Sequence, residues 1–552
     1  MNRFINGWSV KNIKGDLFGG LTAAVVALPL ALAFGVASGI GPIAGLYGAI
    51  AVGFFAALFG GTPAQISGPT GPMTVVMATI IASHANNLPE AFAIVMLGGA
   101  LQIVFGIARF GRYIIYTPYS VVSGFMTGIG IIIIIIQLLP FVGLPASEGG
   151  PVGSLHAILM LDPGQINLGA LMLAFGTLAV VIFWPKKLAR FAPAPLVALV
   201  LGTLTSVIFL PNVAVIGTVP TSLPVPVMPS VSFAQMGQIF QAGFILALLG
   251  SIDSLLTSLV ADTLTRTRHN SDRELIGQGI GNMIAGLIGG LPGAGATMRT
   301  VVNVRSGGRT PLSGMIHALV LLTLVLGLAP LAAVVPHAVL AGILMKVGYD
   351  IIDWGYVKRL ARVPRAKALV MLVTVALTVF VDLITAVAVG IIIAAYVTSR
   401  ALEFEQLKGI EHGNGADGDG INLSNEERAN LRKVDGRVLV TRLTGAFSYA
   451  SAREMARRVG DRVMGHSAVV YDFSNVSYID PSTAIAIDDL FEQATNNGQS
   501  LFVCGLSGDV QKTLGAFDAL ERVPPERLFA LRSAAIASAV EGVINEDDTS
   551  HT

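Results

Sequence analysis

The sequence predicts an all-α polytopic membrane domain of fourteen spans, arranged as a 7+7 inverted repeat, followed by a small α/β cytoplasmic domain. Three observations predict it. Of the 552 residues, 53% are hydrophobic and only 12% are charged, with a mean hydropathy of +0.71; soluble globular chains carry about 25% charged residues. The acidic residues are unevenly spread, 11 of the 34 lying before position 401, so a lipid-embedded part precedes a soluble one. Two apolar stretches are broken by glycine and proline at matching places, 60–76 and 289–304.

A span needs about 20 mostly apolar residues. Such runs lie near 17–39, 43–60, 62–84, 90–108, 118–143, 168–185, 194–211, 237–260, 276–290, 293–304, 312–330, 334–349, 367–382 and 383–400. Loop charges orient them. With the N-terminus inside, the inner loops are RFGRY (109–113), PKKLAR (185–190), TRTRHNSDRE (265–274), 304–309 and 346–367, all with Lys or Arg. The outer loops, 85–89, 144–167, 211–235, 331–336 and the turn at 382, have none. This is the positive-inside pattern, and it requires both broken runs to cross. Both termini are then cytoplasmic, and the expected location is the bacterial inner membrane. The organisation reads as an N-terminal segment (1–15), a transport domain (16–400), a linker (401–433), an α/β domain (434–545) and a tail (546–552). The first run lacks a small-residue cleavage site and is a retained span. One cysteine, Cys504, excludes an intramolecular disulfide. A net charge of +1 without a basic block gives no sign of nucleic-acid binding.

The broken runs read GGTPAQISGPTGPMTVV (60–76) and GGLPGAGATMRTVV (289–302). Each is the third span of its set of seven. Pro69 and Pro72 in one, and Pro292, Gly293 and Gly295 in the other, stop a helix from filling the first half of the crossing. A half-helix then starts near Thr70 and another near Thr297. Inverted topology turns their N-termini toward each other near the midplane. Each carries roughly half a positive charge and unpaired N–H groups, which makes an anion site.

Two charges lie at membrane depth. Asp253 sits in the eighth span with Thr257 one turn on, on the same face; its alternative role is to join helices. Arg299 lies just inside the second half-helix; its alternative is snorkelling to the inner surface. If the two are close, they pair without substrate, and an arriving anion releases Asp253 to take a proton or a cation. Gln278 and Asn282, four apart, either bond across helices or line the cavity. Tyr47, Gln102 and Gln137 read as packing or interfacial residues, and Phe34 as core. His317, His337 and Asp382 fall at predicted membrane edges.

In the tail, RVLVTRL, AVVYDF and SLFVCGL read as strands alternating with helices at SAREMARRVGDRV, STAIAIDDLFEQATNN and SGDVQKTLGAF. NVSYIDPSTA (475–484) is a strand, a turn and a helix start, with Ser482 or Thr483 as the expected N-cap. No phosphate loop, metal cluster or catalytic triad is visible, so the chain reads as a non-enzyme without a cofactor.

These residues resemble the sulfate permease (SulP) family over nearly the whole chain. The marks are GDLFGGLTAAVVALPLALAFGVASG, GGTPAQISGPTGPMTVV, SIDSLLTSLVADTLTRTRHNSDRELIGQGIGN and GAGATMRTVVNVRSGGRTPLSG. The tail resembles the STAS domain, and Ser482 falls on the serine phosphorylated in anti-sigma-factor antagonists, although Pro481 departs from their pattern. The resemblance implies secondary anion transport by a homodimer, with a core (spans 1–4 and 8–11) moving against a gate (spans 5–7 and 12–14) in an elevator-like manner. It also implies a cytoplasmic protein partner for the STAS domain. Within the family the core is most similar to cyanobacterial sodium-dependent bicarbonate transporters. That similarity implies sodium among Asp253, Thr257, Gly295, Ala296 and Thr297, and bicarbonate on Thr70 and the backbone at 296–297. Arg299 stands where those relatives have a small residue, whereas proton-coupled sulfate and dicarboxylate members pair an acid with an arginine here. The expectation is a symporter of sulfate or bicarbonate, with the proton favoured over sodium. An uncoupled exchanger or channel and a C4-dicarboxylate transporter are the alternatives.

Overall fold

Fourteen helices follow one another in the order of the predicted spans. They are α1 Ile13–Ala37, α2 Pro42–Phe59, α3 Gly71–Ser83, α4 Leu88–Ile107, α5 Tyr119–Ile136, α6 Leu168–Phe183 and α7 Ala194–Phe209, then α8 Met236–Thr265, α9 Ser271–Leu287, α10 Thr297–Arg305, α11 Pro311–Ala333, α12 His337–Ile351, α13 Arg365–Phe380 and α14 Leu383–Leu407. Shorter helical segments in the loops are left unlabelled. The computed structural model describes residues 9, 11–84, 87–114, 118–147, 150–185, 188, 193–217, 226–228, 235–381, 383–416 and 420–550. Asp382 lies outside the described residues.

Residues 1–394 form one compact unit and 395–552 a second. In the first, the helices pack in two sets. α4 and α2 pack on α9, α11 packs on α2 and α1, and α8 packs on α4. Separately, α13 and α12 pack on α5, and α6 packs on α12 and α7. These sets are the expected core and gate. Close approach within the core depends on small residues. A Cβ on Gly99 of α4 would lie 2.5 Å from the Gly279 carbonyl oxygen of α9, and one on Gly279 would lie 2.5 Å from the Gly99 carbonyl.

The two broken spans contain the shortest of the fourteen helices, α3 with 13 residues and α10 with 9. Ahead of each runs extended chain, and the two extended pieces pair. Strand β1 (Ser67–Gly68) lies antiparallel to β2 (Ala294–Gly295), with Ser67 opposite Gly295 and Gly68 opposite Ala294. Each supplies backbone groups the other needs, since no water is available in the hydrocarbon core to do so. By length and composition alone, six helices among the described residues suffice to cross a membrane; α3 and α10 cross only together with their extended leads.

Residues of the loops expected to be inner gather at one end of the first unit. Asn12 donates to the Gly307 carbonyl (2.8 Å), Asn270 N–H to the Gly61 carbonyl (3.1 Å) and Gly111 N–H to Asp272 (3.1 Å). Buried Asp16 accepts from the Arg309 and Thr310 N–H groups and the Thr310 hydroxyl.

The second unit is a five-stranded sheet in the order β3–β4–β5–β6–β7: Ile410–Gly413, Val438–Phe447, Ala468–Ile479, Ser500–Cys504 and Leu528–Phe529. β3 is antiparallel and the rest are parallel. Around it lie α15 Asn425–Arg432, α16 Ala452–Val463, α17 Pro481–Asn496, α18 Gly508–Ala516 and α19 Arg532–Ser550. The expected 401–433 linker contributes more than a tether: it holds the last turns of α14, the edge strand β3 and the capping-box helix α15. Likewise α19 runs through most of the expected 546–552 tail. AVVYDF and NVSYI are one continuous strand, β5, bulged against β4.

Candidate functional site

The β1–β2 crossing sets the two half-helix starts side by side. α3 has Thr70 as its N-cap residue and α10 has Ala296, and neither start is capped by a side chain. Their first-turn N–H groups therefore lack intrahelical acceptors. Thr70 is buried, and its hydroxyl lies beside the Asp253 carboxyl with no other partner among the described residues. Ala296 N–H reaches across the break to the Ile66 carbonyl (2.8 Å). Thr297 and Met298 are exposed, so the crossing is reachable from this side.

Long helix α8 brings Asp253 and Thr257 to the same place. The Thr257 hydroxyl lies 2.9 Å from the Gly295 carbonyl oxygen and 2.7 Å from the Thr297 hydroxyl. One turn back, buried Asp253 leaves Oδ2 without a partner. Ser254 accepts the Gly295 N–H (3.0 Å) and fixes the strand from the same helix face. Three neutral oxygens and a carboxylate one turn away form an all-oxygen set suited to a proton or a hard cation.

Arg299 is 2% exposed. It does not form the expected ion pair: Nη2 donates to the Pro69 carbonyl, while Nη1 has no partner. The guanidinium packs against β1, where a Cβ on Gly68 would come 2.8 Å from Nη1. Gly68 also has φ +150°, so both backbone and space require glycine there. No hydrogen bond or ion pair joins Arg299 to Asp253 among the described residues, although the two charges lie near enough to act on each other through space. Snorkelling does not occur, because the side chain is buried among backbone.

Gln278 and Asn282 engage in bonds across helices. Gln278 donates to the Ser67 hydroxyl (2.6 Å) and to Glu274 (2.8 Å). Asn282 accepts the Gly293 N–H (2.7 Å), donates to the Gly293 carbonyl (3.0 Å) and donates to Gln102 (2.7 Å). The Asn282 amide thus replaces a strand neighbour for the second break. Gln102, expected as packing, is the support behind it.

Several supporting residues escape a reading of the sequence. Glu274, assigned there to an inner loop, is buried in the first turn of α9. It accepts from the Gly61 and Thr62 N–H groups (2.9 and 2.8 Å) and from the amides of Gln65 and Gln278 (both 2.8 Å). Its spacing of four from Gln278 is the available signal. Asn303 donates to the Ala64 carbonyl (2.9 Å) and to Ser313 (2.8 Å). His317 is not at a membrane edge. α11 packs along α2, which turns the imidazole inward: it is fully buried, neither ring nitrogen has a partner, and Nδ1 borders Gly53 beside the Ser67 carbonyl. His337, by contrast, starts α12, with its N–H on the Ala214 carbonyl (3.1 Å).

In the second unit Ser482 is exposed in the first turn of α17. The N-cap is Asp480, not Ser482 or Thr483: its Oδ1 accepts the Thr483 N–H (2.8 Å) and hydroxyl (2.9 Å), because Pro481 occupies the first helical position. Across the sheet, Arg532 donates to both oxygens of Glu427 (2.9 and 2.8 Å). Burial alone would raise the Glu427 pKa, but Arg532 and the Ser424 N–H outweigh it and hold the carboxyl below its ordinary value. The buried Cys504 thiol is pushed up, chiefly by desolvation and then by Asp472.

Comparison with known proteins agrees with this architecture. Residues 13–374 match the sequence profile of the sulfate permease family, and residues 430–533 that of the STAS domain. The bicarbonate transporter BicA of Picosynechococcus sp. is 46% identical over 545 residues, spanning 97% of this chain and 96% of its own. The solved transmembrane domain of a cyanobacterium bicarbonate transporter BicA superposes with a TM-score of 0.65 at 51% identity, covering 69% of this chain and 99% of that one. Murine Slc26a9, an anion transporter solved in the inward-facing state, has a TM-score of 0.80 at 20% identity, covering 96% and 92%, a likeness of fold.

Proposed function

This chain belongs to the sulfate permease family, and from that premise we propose that it is a symporter of bicarbonate driven by sodium. Anion transport and a multi-pass membrane location come with the family. Substrate, driving ion and movement are the further steps.

The anion is held where α3 and α10 start. Thr70, the first-turn N–H groups of α10 from Thr297 onward, and Arg299 Nη1 converge on this space, and partial and full positive charges act together there. The sequence left sulfate and bicarbonate open. The 46% identity to bicarbonate transporters over nearly the full length supports bicarbonate.

One observation carries the choice of driving ion: Asp253 Oδ2 has no partner one helical turn from the Thr257–Thr297–Gly295 oxygen cluster. The preference for the proton rested on Arg299 already supplying positive charge beside the site. Because Arg299 bonds the Pro69 carbonyl and makes no direct bond to Asp253, a sodium ion among Asp253, Thr257, Gly295 and Thr297 supplies the carboxylate with its own counter-charge. The cation adds positive potential beside the anion, so each ligand strengthens the other's binding.

The two packed sets of helices support an elevator-like movement, with the site carried by the core past the gate. The loop charges support a cytoplasmic side for both termini. The homodimer and a protein partner for the STAS domain remain part of this reading, with Ser482 as an exposed candidate for modification on α17.

Uptake of labelled bicarbonate into proteoliposomes, under separate sodium and proton gradients, tests the proposal. Sodium-driven accumulation that Asp253→Asn abolishes, with residual exchange, is the expected result. Accumulation driven by the proton gradient alone, or unchanged sodium dependence in Asp253→Asn, overturns it.

A further inference from the structure

Gly71 opens α3, one residue past Thr70. Its φ lies outside the left-handed region, so the backbone does not demand glycine there. Space does. A Cβ at this position would come 2.7 Å from Cδ1 of Ile351 and 2.8 Å from Cδ1 of Ile133, with Cγ2 of Ile129 at 4.0 Å. All three are gate residues: Ile129 and Ile133 lie on α5, and Ile351 ends α12. A Cα–Cβ bond leans toward the helix N-terminus, so these carbons border the space in front of the first-turn N–H groups of α3.

The two isoleucines are placed as a pair. α5 and α12 are each the fifth span of their set of seven, and they cross at glycine. A Cβ on Gly130 would lie 2.5 Å from the Gly348 carbonyl oxygen, and one on Gly348 would lie 2.8 Å from the Gly130 carbonyl oxygen. Ile133 and Ile351 stand one turn on from these two glycines, each on the same side of its helix as the glycine. Backbone contact between α5 and α12 thus fixes where both tips end, at the start of α3. The start of α10 is open by contrast, with Thr297 and Met298 exposed.

We propose that Ile133 and Ile351 determine anion specificity, as an apolar cover that selects against strongly hydrated anions. The assignment rests on the anion site placed above at the starts of α3 and α10. Thr70, Thr297 and Arg299, which supply its polar and charged groups, all belong to the core, whereas the three atoms nearest the Gly71 position are gate carbons. An anion there receives no hydrogen bond on its covered side. Bicarbonate is planar, so it can turn a face without acceptor lone pairs to the cover. Sulfate is tetrahedral and has oxygens on every side. The cost of stripping water from an ion also rises with the square of its charge, which penalises the doubly charged anion again. Contact between carbon surfaces is non-directional, so the core can slide past this cover without breaking a hydrogen bond.

Calorimetry on the purified full-length chain in saturating sodium measures bicarbonate and sulfate affinity separately from transport. Wild type should bind bicarbonate more tightly than sulfate. Ile133→Thr removes Cδ1 and adds a hydroxyl. It should tighten sulfate at least about tenfold, the scale of a hydrogen bond to a charged group, with bicarbonate little changed. Ile351→Thr, at a half-buried position, is the second variant and carries the same expectation. Ile133→Val removes the same Cδ1 without a hydroxyl and should leave sulfate weak. Gly71→Ala should weaken bicarbonate, and Ile133→Val with Ile351→Val in that chain should restore it. Equal wild-type affinity for the two anions, or unchanged sulfate affinity in both threonine variants, overturns the assignment. An equal gain in Ile133→Val gives the discrimination to size and also overturns it, as does a Gly71→Ala defect that the paired valines leave in place. If the affinities behave as stated but proteoliposomes take up no bicarbonate, the functional proposal fails while the specificity assignment stands. Binding of neither anion overturns both.

Discussion

Ser67 and Gly295, 228 positions apart, face each other across a two-residue antiparallel ladder, and the start of each half-helix hangs from it. Gly293 continues this crossing under Gly68, where a Cβ would lie 2.4 Å from the Gly68 carbonyl carbon.

Gly293→Ala is therefore expected to part the two breaks. Overpacking of this kind costs about 1–3 kcal/mol, and here the obstructing atoms are backbone. Loss of labelled-bicarbonate binding with a lowered melting temperature is the expected outcome in the purified chain. Binding at wild-type affinity would show that the ladder does not position the site.

Arg299→Gln should weaken bicarbonate binding by about tenfold or more, since a charge-assisted hydrogen bond contributes about 1.5–3 kcal/mol. Arg299→Lys should recover part of it, keeping the charge without the fork that spans Pro69 and the anion. KM for uptake at saturating sodium is the measurement. Equal KM in all three proteins would remove Arg299 from the anion site.

Thr257→Val is nearly isosteric and removes one oxygen from the cluster with Thr297 and Gly295. The sodium concentration for half-maximal uptake should rise about tenfold, the scale of one lost ligand at about 1.4 kcal/mol. Bicarbonate KM at saturating sodium should change little. A shift in bicarbonate KM alone would place Thr257 on the anion.

Glu274→Gln tests support at a distance. The carboxylate accepts four hydrogen bonds, and an amide presents N–H to some of those donors. A loss of about 1–3 kcal/mol for an unmet buried group should appear as a lower melting temperature. Arg299→Gln, which leaves these bonds intact, should not show it.

Acid should loosen the second unit through Glu427. Its folded pKa is depressed, first against the upward pull of burial, by Arg532 and the Ser424 N–H. A depressed carboxylate contributes stability above the unfolded pKa of about 4.3, lost as pH falls through the lower folded value. Hydrogen exchange in α15 and β5 of the full chain, corrected for intrinsic rates, should be flat from pH 7 to about 4.3 and rise below it. Glu427→Gln should exchange faster already at neutral pH.

The sequence made the spans legible because lipid imposes length and loop charge imposes alternation. It made the breaks legible because proline and glycine are costly inside helices, and Thr70, Asp253, Thr257 and Thr297 all come to that crossing. It did not show which groups satisfy the broken backbone. Asn282 holding Gly293 by both N–H and carbonyl, and Glu274 holding Gly61 and Thr62, depend on helix packing between distant segments. Arg299 was readable as an intramembrane charge but not as a partner of Pro69, because the direction of a long side chain follows from the start of its helix. His317 looked peripheral on a linear count of span length and is interior because α11 lies against α2. In the second unit the parallel strands read clearly as apolar runs. The edge strand β3, polar and short, did not.

The ladder between Ser67 and Gly295 also bears on the economy of the proposed cycle. Neither half-helix can withdraw from the other without parting backbone hydrogen bonds that no lipid can replace. If the core travels as proposed, its grip on bicarbonate is the same on either side of the membrane. The direction of net flux is then dictated by the ion and substrate reservoirs, with no need for a binding site that relaxes to let its cargo go.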